Sequence, residues 1–221
     1  MSQRSADGSA GDVDYGAIGV NYARYRQPEP MIEQAIWTAL GDARTVLNVG
    51  AGAGSYEPRD RQVTAVEPSA TMRAQRPADL PIAIDAVAEN LPFSDQSFDA
   101  ALASVTVHQW TDLAAGLSEL RRVTRGPIVL VVADPARLHD FWLTHYLPES
   151  LNIEMGRFPS IDRLVALLGP VTTVRPVPVP LDCRDGFTEA YYGRPELLLE
   201  KGVQGACSSW TLTDPAAIAA L

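Results

Sequence analysis

The chain has 221 residues, of which 46% are hydrophobic and 20% are charged, and its formal net charge is −9. This length allows one sizeable core, and the negative charge argues against nucleic acid as a partner, because phosphate binding requires a basic face. The two cysteines, Cys183 and Cys207, are too few for a disulfide framework and lack metal-site spacing. With no signal-peptide pattern and no run of about 20 apolar residues, we expect a cytoplasmic protein without a membrane segment.

The N-terminal region falls into two parts. Residues 1–14 are small and polar and predict a disordered tail, after which we expect a single domain over residues 15–221. Residues 15–40 combine tyrosines and arginines with an amphipathic helix from Met31 to Leu40. This segment is either a helix that simply packs on the core or a lid that excludes water from a bound ligand.

Apolar runs alternate with helical patterns through the middle of the chain. The runs predict strands at 46–49, 63–66, 81–86, 99–107 and 128–133, and the helical patterns lie at 70–76 and 113–123. Such alternation predicts an α/β fold with a mostly parallel sheet and helices on both faces. The run from Ile128 to Ala133 is purely apolar, so we expect it to be central and buried.

The C-terminal part predicts a helical cap over residues 136–170. Its first helix, 136–147, places Trp142 and Tyr146 in one stripe, and its second lies around 160–168. Residues 171–179 predict a strand, and the prolines among them restrict it to the edge of the sheet. A last helix is predicted from Asp214.

A glycine-rich turn links the first two strands. Gly50, Gly52 and Gly54 alternate after the strand, and Glu67 ends the next strand 17 residues after Gly50. This is close to the spacing at which an acid binds the hydroxyls of a ribose. A dinucleotide site needs G-x-G-x-x-G and a P-loop needs Gly-Lys-Ser/Thr, whereas the single lysine of the chain is Lys201. The alternatives that remain are an ordinary tight turn and a nucleoside-cofactor site of another kind.

This G-x-G-x-G pattern with Glu67 resembles motif I of the class I S-adenosylmethionine-dependent methyltransferases. The block AENLPF…FD, from Ala88 to Asp99, resembles the group that includes the ubiquinone and menaquinone biosynthetic enzymes. The resemblance implies a Rossmann-like sheet, S-adenosylmethionine as cofactor and S-adenosylhomocysteine as product. The cofactor contacts that it implies are Tyr22, Arg26, Asn48, Gly50, Ala51, Gly52, Gly54, Glu67, Pro68, Ala88, Glu89 and Ser104.

Two positions depart from the family pattern. Asn48 stands where the family often has an acid, and Val87 stands where an Asp is usual. The backbone amide of Ala88 is left to bind the adenine, or Asp85 replaces the missing Asp through a loop shift of two residues. The family also ends its sheet with an antiparallel strand. No pattern after residue 179 predicts one, so the chain is truncated, residues 208–212 serve instead, or another subunit completes the sheet.

Candidate acceptor residues follow the fourth predicted strand and lie in the cap. Ligands of open α/β sheets bind at the carboxyl ends of the strands, where His108 is either a structural residue or the base that removes a proton from the acceptor. Trp110, Trp142 and Tyr146 suggest an apolar acceptor, although core packing explains the last two equally well. We expect no metal and an aromatic or polyketide-like small molecule as acceptor.

Methyl transfer is the main prediction, and two alternatives stay open. The fold could bind the cofactor and catalyse a reaction without methylation, such as a cyclisation. The chain could also be a non-catalytic partner of another methyltransferase. A monomer or a homodimer is expected for the enzyme, with no nucleic-acid or membrane partner.

Overall fold

The computed structural model describes residues 4–221, except for the side chains of Ile18 and Val20. Its strands are β1 (Thr45–Val49), β2 (Gln62–Val66), β3 (Ala100–Ser104) and β4 (Ile128–Val131). Its α-helices are α1 (Tyr15–Ile18), α2 (Tyr22–Tyr25), α3 (Pro30–Leu40), α4 (Ala70–Ala74), α5 (Leu113–Val123), α6 (Pro135–Leu138), α7 (Pro148–Arg157), α8 (Ile161–Leu168), α9 (Lys201–Gly205), α10 (Ser208–Leu212) and α11 (Pro215–Ala219). Short 3₁₀-helices cover Gly19–Asn21, Val107–Gln109, Trp142–His145, Thr188–Tyr191 and Pro195–Leu199. None of these helices is long and apolar enough to cross a membrane.

The chain forms two compact units. The first, here called the sheet unit, contains residues 4–20 and Pro30–Val132, and the second, the helical unit, contains Asn21–Glu29 and Ala133–Leu221. The predicted lid over residues 15–40 is thus divided between the units, and the predicted cap over 136–170 lies in the helical unit. The single domain over residues 15–221 stays a prediction.

The sheet unit is built on four parallel strands in the order β2-β1-β3-β4. Val46 of β1 pairs with Val63 of β2 on one side and with Ala100 of β3 on the other. Because the strands are parallel, their carboxyl ends share one edge of the sheet. The predicted α/β fold with a Rossmann-like parallel sheet is confirmed.

Burial falls from the middle of this sheet to its β4 end. In β1 and β3 most side chains are fully buried, and α3 packs against β3 and β4 with Ile32, Ile36 and Leu40 turned inward. All four residues of β4 are only half-buried. The prediction that this run is central and buried is wrong, because β4 comes last in the strand order.

Two other predicted strands do not form. Over residues 81–86 the pairing is limited to one bridge between Val66 and Ile84. Ile82 is 94% exposed, so its side chain adds no burial that would stabilise a longer strand. Residues 171–179 contain no strand, since their prolines cannot donate to a ladder. Residues 208–212 are helical, so they do not replace a last antiparallel strand.

The helical unit has its own apolar core. The core residues are Leu138, Leu143, Leu147, Leu151, Tyr191, Leu198, Val203, Cys207 and Trp210. The helix predicted over 136–147 is broken into α6 and the 3₁₀-helix Trp142–His145. The Thr144 hydroxyl contributes to this break, since it donates to the Leu138 carbonyl at 3.0 Å and takes an acceptor that a continuing helix would use.

Candidate functional site

The glycine loop after β1 is held against the end of β2. The amides of Gly50 and Ala51 both donate to the Val66 carbonyl at 2.9 Å. Gly50 has a φ of 69°, in the left-handed region, and a Cβ at this position would overlap the side chain of Thr106. Only glycine meets both conditions without strain, so the close packing of the loop against Thr106 depends on the absence of a side chain at position 50.

Glu67 ties this loop to the start of α4. One of its carboxylate oxygens accepts the Gly52 amide and the other accepts the Ser69 amide, each at 2.8 Å. The side chain is buried, and burial raises the pKa of Glu67 even though these two amides favour the charged form. Each oxygen of a carboxylate can accept a second hydrogen bond. Glu67 therefore has acceptor capacity beyond the two amides that it already binds.

A second buried carboxylate is linked to the same loop through Arg76. Glu57 is fully buried and accepts the Asn48 amide at 2.9 Å and the Arg76 guanidinium at 2.8 Å. Arg76 also donates to the carbonyls of Gly52 at 3.4 Å and Pro81 at 3.0 Å. Asn48, a predicted cofactor contact, is thus engaged in the core with Glu57.

The N-terminal residues attach to this edge of the sheet. Arg4 donates to the Pro68 carbonyl at 2.7 Å and to Asp85 at 2.5 Å, and the Ala70 amide donates to the Asp7 carbonyl at 2.8 Å. The Asp7 carboxylate also accepts the Ser69 hydroxyl. Residues 4–14, predicted to be disordered, therefore have defined contacts here, and residues 1–3 lie outside the described part of the chain.

The course of this segment follows from two close approaches. The backbone of Gly8 lies against the Pro68 carbonyl, just after β2, and that of Gly11 lies against Gln109, after β3. With β1 between them, β2 and β3 are about 10 Å apart, and three residues span about that distance when extended. Residues 8–11 thus connect the segments that follow β2 and β3.

The chain after β3 turns sharply. Val105 has a φ of 51°, which is rare for a β-branched residue, and leads into the 3₁₀-helix that carries His108. His108 is half-buried on the ligand-binding edge of the sheet. The ring of Trp110 packs against Gly116 of α5, so in this structure it supports a helix.

The remaining predicted cofactor residues of the sheet unit lie near the same edge. Ser104 is the last residue of β3, and Pro68 directly follows Glu67. Ala88 is buried. Glu89 accepts the Thr111 hydroxyl at 3.0 Å and the Asp112 amide at 3.1 Å, and so holds the start of α5.

Four predicted site residues belong to the helical unit. Arg26 forms a buried ion pair with Asp185 and a hydrogen bond with the Tyr22 hydroxyl. Burial disfavours its charge, but Asp185 outweighs this effect and raises the pKa of Arg26 above the ordinary value. Trp142 donates to the Tyr192 carbonyl at 3.2 Å and contacts Tyr146, which is 69% exposed.

Several residues of the site were not identified from the sequence. They are Asp7, Glu57, Ser69 and Arg76. One signal was available for Glu57, since Asn48 is a polar residue inside an apolar strand and buried amides require a partner. Within residues 4–221, no group of three or more His, Cys, Asp or Glu side chains is placed to hold a metal ion.

Comparison with known proteins agrees with this geometry. Residues 47–130 match the family model of a methyltransferase domain. The structure of a putative methyltransferase from an antibiotic biosynthesis pathway of Anabaena variabilis is 30% identical, with a TM-score of 0.82 over 90% of this chain and 85% of that chain. A possible histamine N-methyltransferase from Thermotoga maritima is 26% identical, with a TM-score of 0.52 over 66% of this chain and 70% of that chain.

A curated relative matches a shorter part of the chain. The malonyl-[acyl-carrier protein] O-methyltransferase of Erwinia billingiae is 30% identical over 139 residues, which are 54% of this chain. The chain spans 52% of the length of that relative. The glycine loop, Glu67 and most of the four-stranded sheet lie within residues 47–130, which the family model matches. The chain therefore belongs to the class I S-adenosylmethionine-dependent methyltransferases.

Proposed function

We propose that this chain transfers a methyl group from S-adenosylmethionine to a small-molecule acceptor. The observation that carries the proposal is the position of Glu67, whose carboxylate lies at the end of β2 and accepts the Gly52 amide of the glycine loop. An acid in this place suits the two hydroxyls of a ribose. Family membership supports S-adenosylmethionine as the methyl donor.

The charges at the loop fit a nucleoside without phosphate. Arg76, the guanidinium that contacts the Gly52 carbonyl, is buried and paired with Glu57, so its charge is already balanced. Glu67 retains acceptor capacity on both oxygens. A pyrophosphate would instead require positive charge that is not already paired.

Each predicted cofactor residue then has a proposed role. Glu67 would accept the ribose hydroxyls, the backbone of residues 50–54 would lie along the nucleoside, and the amide of Ala88 would bind the adenine. Pro68, Glu89 and Ser104 would border the pocket, and Asn48 would act through Glu57. Tyr22 and Arg26 are proposed to contact the methionine part, which requires that Arg26 bind it while paired with Asp185.

The chemistry assigned to the protein is positioning and proton removal. When bound, the cofactor supplies a methyl group activated by a sulfonium sulfur. Alignment of the acceptor can contribute up to about 7–11 kcal/mol in intramolecular models. His108 lies at the carboxyl edge of the sheet and is proposed to accept the proton that an oxygen, nitrogen or sulfur acceptor loses.

We propose a biosynthetic metabolite of aromatic or polyketide type as the acceptor, with Trp110, Trp142 and Tyr146 as contacts. Support comes from the Anabaena protein, which is described as part of an antibiotic biosynthesis pathway. We further propose that the chain belongs to the group that includes the ubiquinone and menaquinone enzymes. A cytoplasmic location and a monomeric or homodimeric state are also proposed.

Calorimetric titration with S-adenosylhomocysteine tests the cofactor site. The wild type is expected to bind in the micromolar range, and Glu67→Gln is expected to bind at least about tenfold more weakly, since a hydrogen bond to a charged group contributes about 1.5–3 kcal/mol. Glu196→Gln, the same change at an exposed position, is the control and should bind like the wild type. Failure of the folded wild type to bind would refute the proposal.

The mass of the product separates methyl transfer from the alternative chemistry. With S-adenosylmethionine and a candidate acceptor, transfer adds one methyl group to the acceptor and yields S-adenosylhomocysteine in equal amount. A cyclisation leaves the acceptor mass unchanged and consumes no cofactor, and such a result would replace the proposed reaction.

A further inference from the structure

The buried pair of Glu57 and Arg76 sits at the glycine loop, away from solvent. The side chain of Glu57 is 0% exposed and that of Arg76 is 4% exposed. An ion pair taken out of water gains little or no net stability, because desolvation offsets the Coulomb attraction. Fold stability alone is therefore a weak explanation for this pair.

The hydrogen bonds of the pair converge on Gly52. The Gly52 amide donates to Glu67 at 2.8 Å, while the Gly52 carbonyl accepts the Arg76 guanidinium at 3.4 Å. Glu67 precedes α4 and Arg76 follows it. Residues at the two ends of one short helix thus hold both polar groups of Gly52, and this restrains the two peptide groups that flank its Cα atom.

Glu57 holds the guanidinium of Arg76 in the position from which it contacts the Gly52 carbonyl. It contacts the Arg76 Nη2 through both oxygens, at 2.9 and 2.8 Å, and one of these oxygens also accepts the Asn48 amide at 2.9 Å. A carboxylate at position 48 would lie within hydrogen-bond distance of Glu57 and repel it. The neutral amide at position 48 and the acid at position 57 are therefore complementary.

We propose that Arg76 and Glu57 are positioning residues that hold the Gly52 amide against Glu67, and that Asn48 is the neutral partner that Glu57 requires. This inference rests on the proposed function, since its effect is to shape the acid and the loop that would receive the nucleoside. Arg76 acts on the loop directly, and Glu57 acts through Arg76.

An exchange of the two partners tests the proposal. Asn48→Asp alone places two carboxylates together, and Glu57→Gln alone leaves Arg76 without its counter-charge. Each is expected to weaken S-adenosylhomocysteine binding by about tenfold or more, because a buried charge without its partner is strongly unfavourable. The double variant N48D/E57Q restores one acid and one amide. Its affinity for S-adenosylhomocysteine should return to within about threefold of the wild type, because the effects of substitutions at coupled sites are not additive.

Arg76→Lys provides a variant that keeps the charge and loses the planar fork. It should fold and bind S-adenosylhomocysteine more weakly, with faster hydrogen exchange at the Gly52 amide. A purely structural pair would lower the unfolding temperature and leave the affinity of the folded single variants unchanged. That result, or additive losses in the double variant, would overturn the proposal.

Failure of the proposed function gives a different pattern. In that case the wild type and all variants fail to bind S-adenosylhomocysteine. The hydrogen-exchange rate of the Gly52 amide then decides whether Arg76 and Glu57 position the loop. Faster exchange in Glu57→Gln and Arg76→Lys than in the wild type supports the positioning role. Equal exchange in all three proteins refutes it.

Discussion

At the scale of single residues, glycine is required at position 50 for two separate reasons. Its φ of 69° disfavours any side chain, and a Cβ would overlap Thr106. Gly41 separates the two effects, because it has a φ of 57° but no heavy atom within 4 Å of a built Cβ. The pair of sites therefore offers a matched comparison.

We expect Gly41→Ala to lower the free energy of unfolding by about 1–2 kcal/mol, the cost of a left-handed alanine. Gly50→Ala should cost more, because Thr106 must move as well, and it should also abolish measurable S-adenosylhomocysteine binding. Urea unfolding and calorimetry on the two variants check both statements. Equal stability losses with full binding in Gly50→Ala would contradict this account of the loop.

Residue patterns also show which candidate residues can be named from the sequence, and their contact with a cofactor stays a prediction. Glu67 and the glycines were found because their spacing is fixed by the chemistry of ribose and of a side-chain-free turn. Glu57 and Arg76 were missed because they meet only through the fold, 19 residues apart. The buried Asn48 indicated that a polar partner exists but not which residue supplies it.

At the scale of elements, local signals located most helices and strands. α5 extends from Leu113 to Val123 as predicted, because Asp112 caps it and its apolar side is continuous. β4 was assigned correctly as a strand and wrongly as central, since an apolar run does not reveal its place in the strand order. The run at 171–179 failed because its prolines prevent pairing.

The N-terminal segment provides a prediction for pH dependence. Partial burial raises the pKa of Asp7, but the hydrogen bonds from Ser5, Ser69 and Ser9 outweigh burial and hold this pKa below the ordinary value of 3.8. An acid with a lowered pKa stabilises the folded state above its unfolded pKa. This contribution is lost as the pH falls below 3.8 toward the folded pKa.

Asp7→Asn should therefore be less stable than the wild type at pH 7, by about 1–3 kcal/mol for the hydrogen bonds to a charged group. The difference should shrink at pH 3. Urea unfolding at both pH values measures it, with Asp42→Asn, at an exposed position, as the control. A difference that is equal at both pH values would show that Asp7 contributes no charge-dependent stability.

At the scale of the whole molecule, the chain has two compact units with separate apolar cores. The sheet unit carries the glycine loop and Glu67, and the helical unit carries Arg26 and Trp142. The division was not predicted, because composition and length indicate one domain and give no boundary within it. Residues 21–29 join the helical unit although both neighbouring segments belong to the sheet unit.

Two leucines of the helical unit test its core. Leu151 is 0% exposed and Leu199 is 60% exposed. Leu151→Ala should lower the free energy of unfolding by about 2–5 kcal/mol, through lost contacts and a cavity. Leu199→Ala should stay within about 0.5 kcal/mol of the wild type. Denaturant unfolding checks the pair, and a small effect at Leu151 would show that this core is loosely packed.

The hydrogen bonds of the N-terminal segment have a consequence for its response to salt. Arg4 anchors the segment partly through Asp85, and both side chains are substantially exposed. Added salt weakens such a pair, and proteolytic cleavage within residues 4–11 should therefore become faster at high ionic strength.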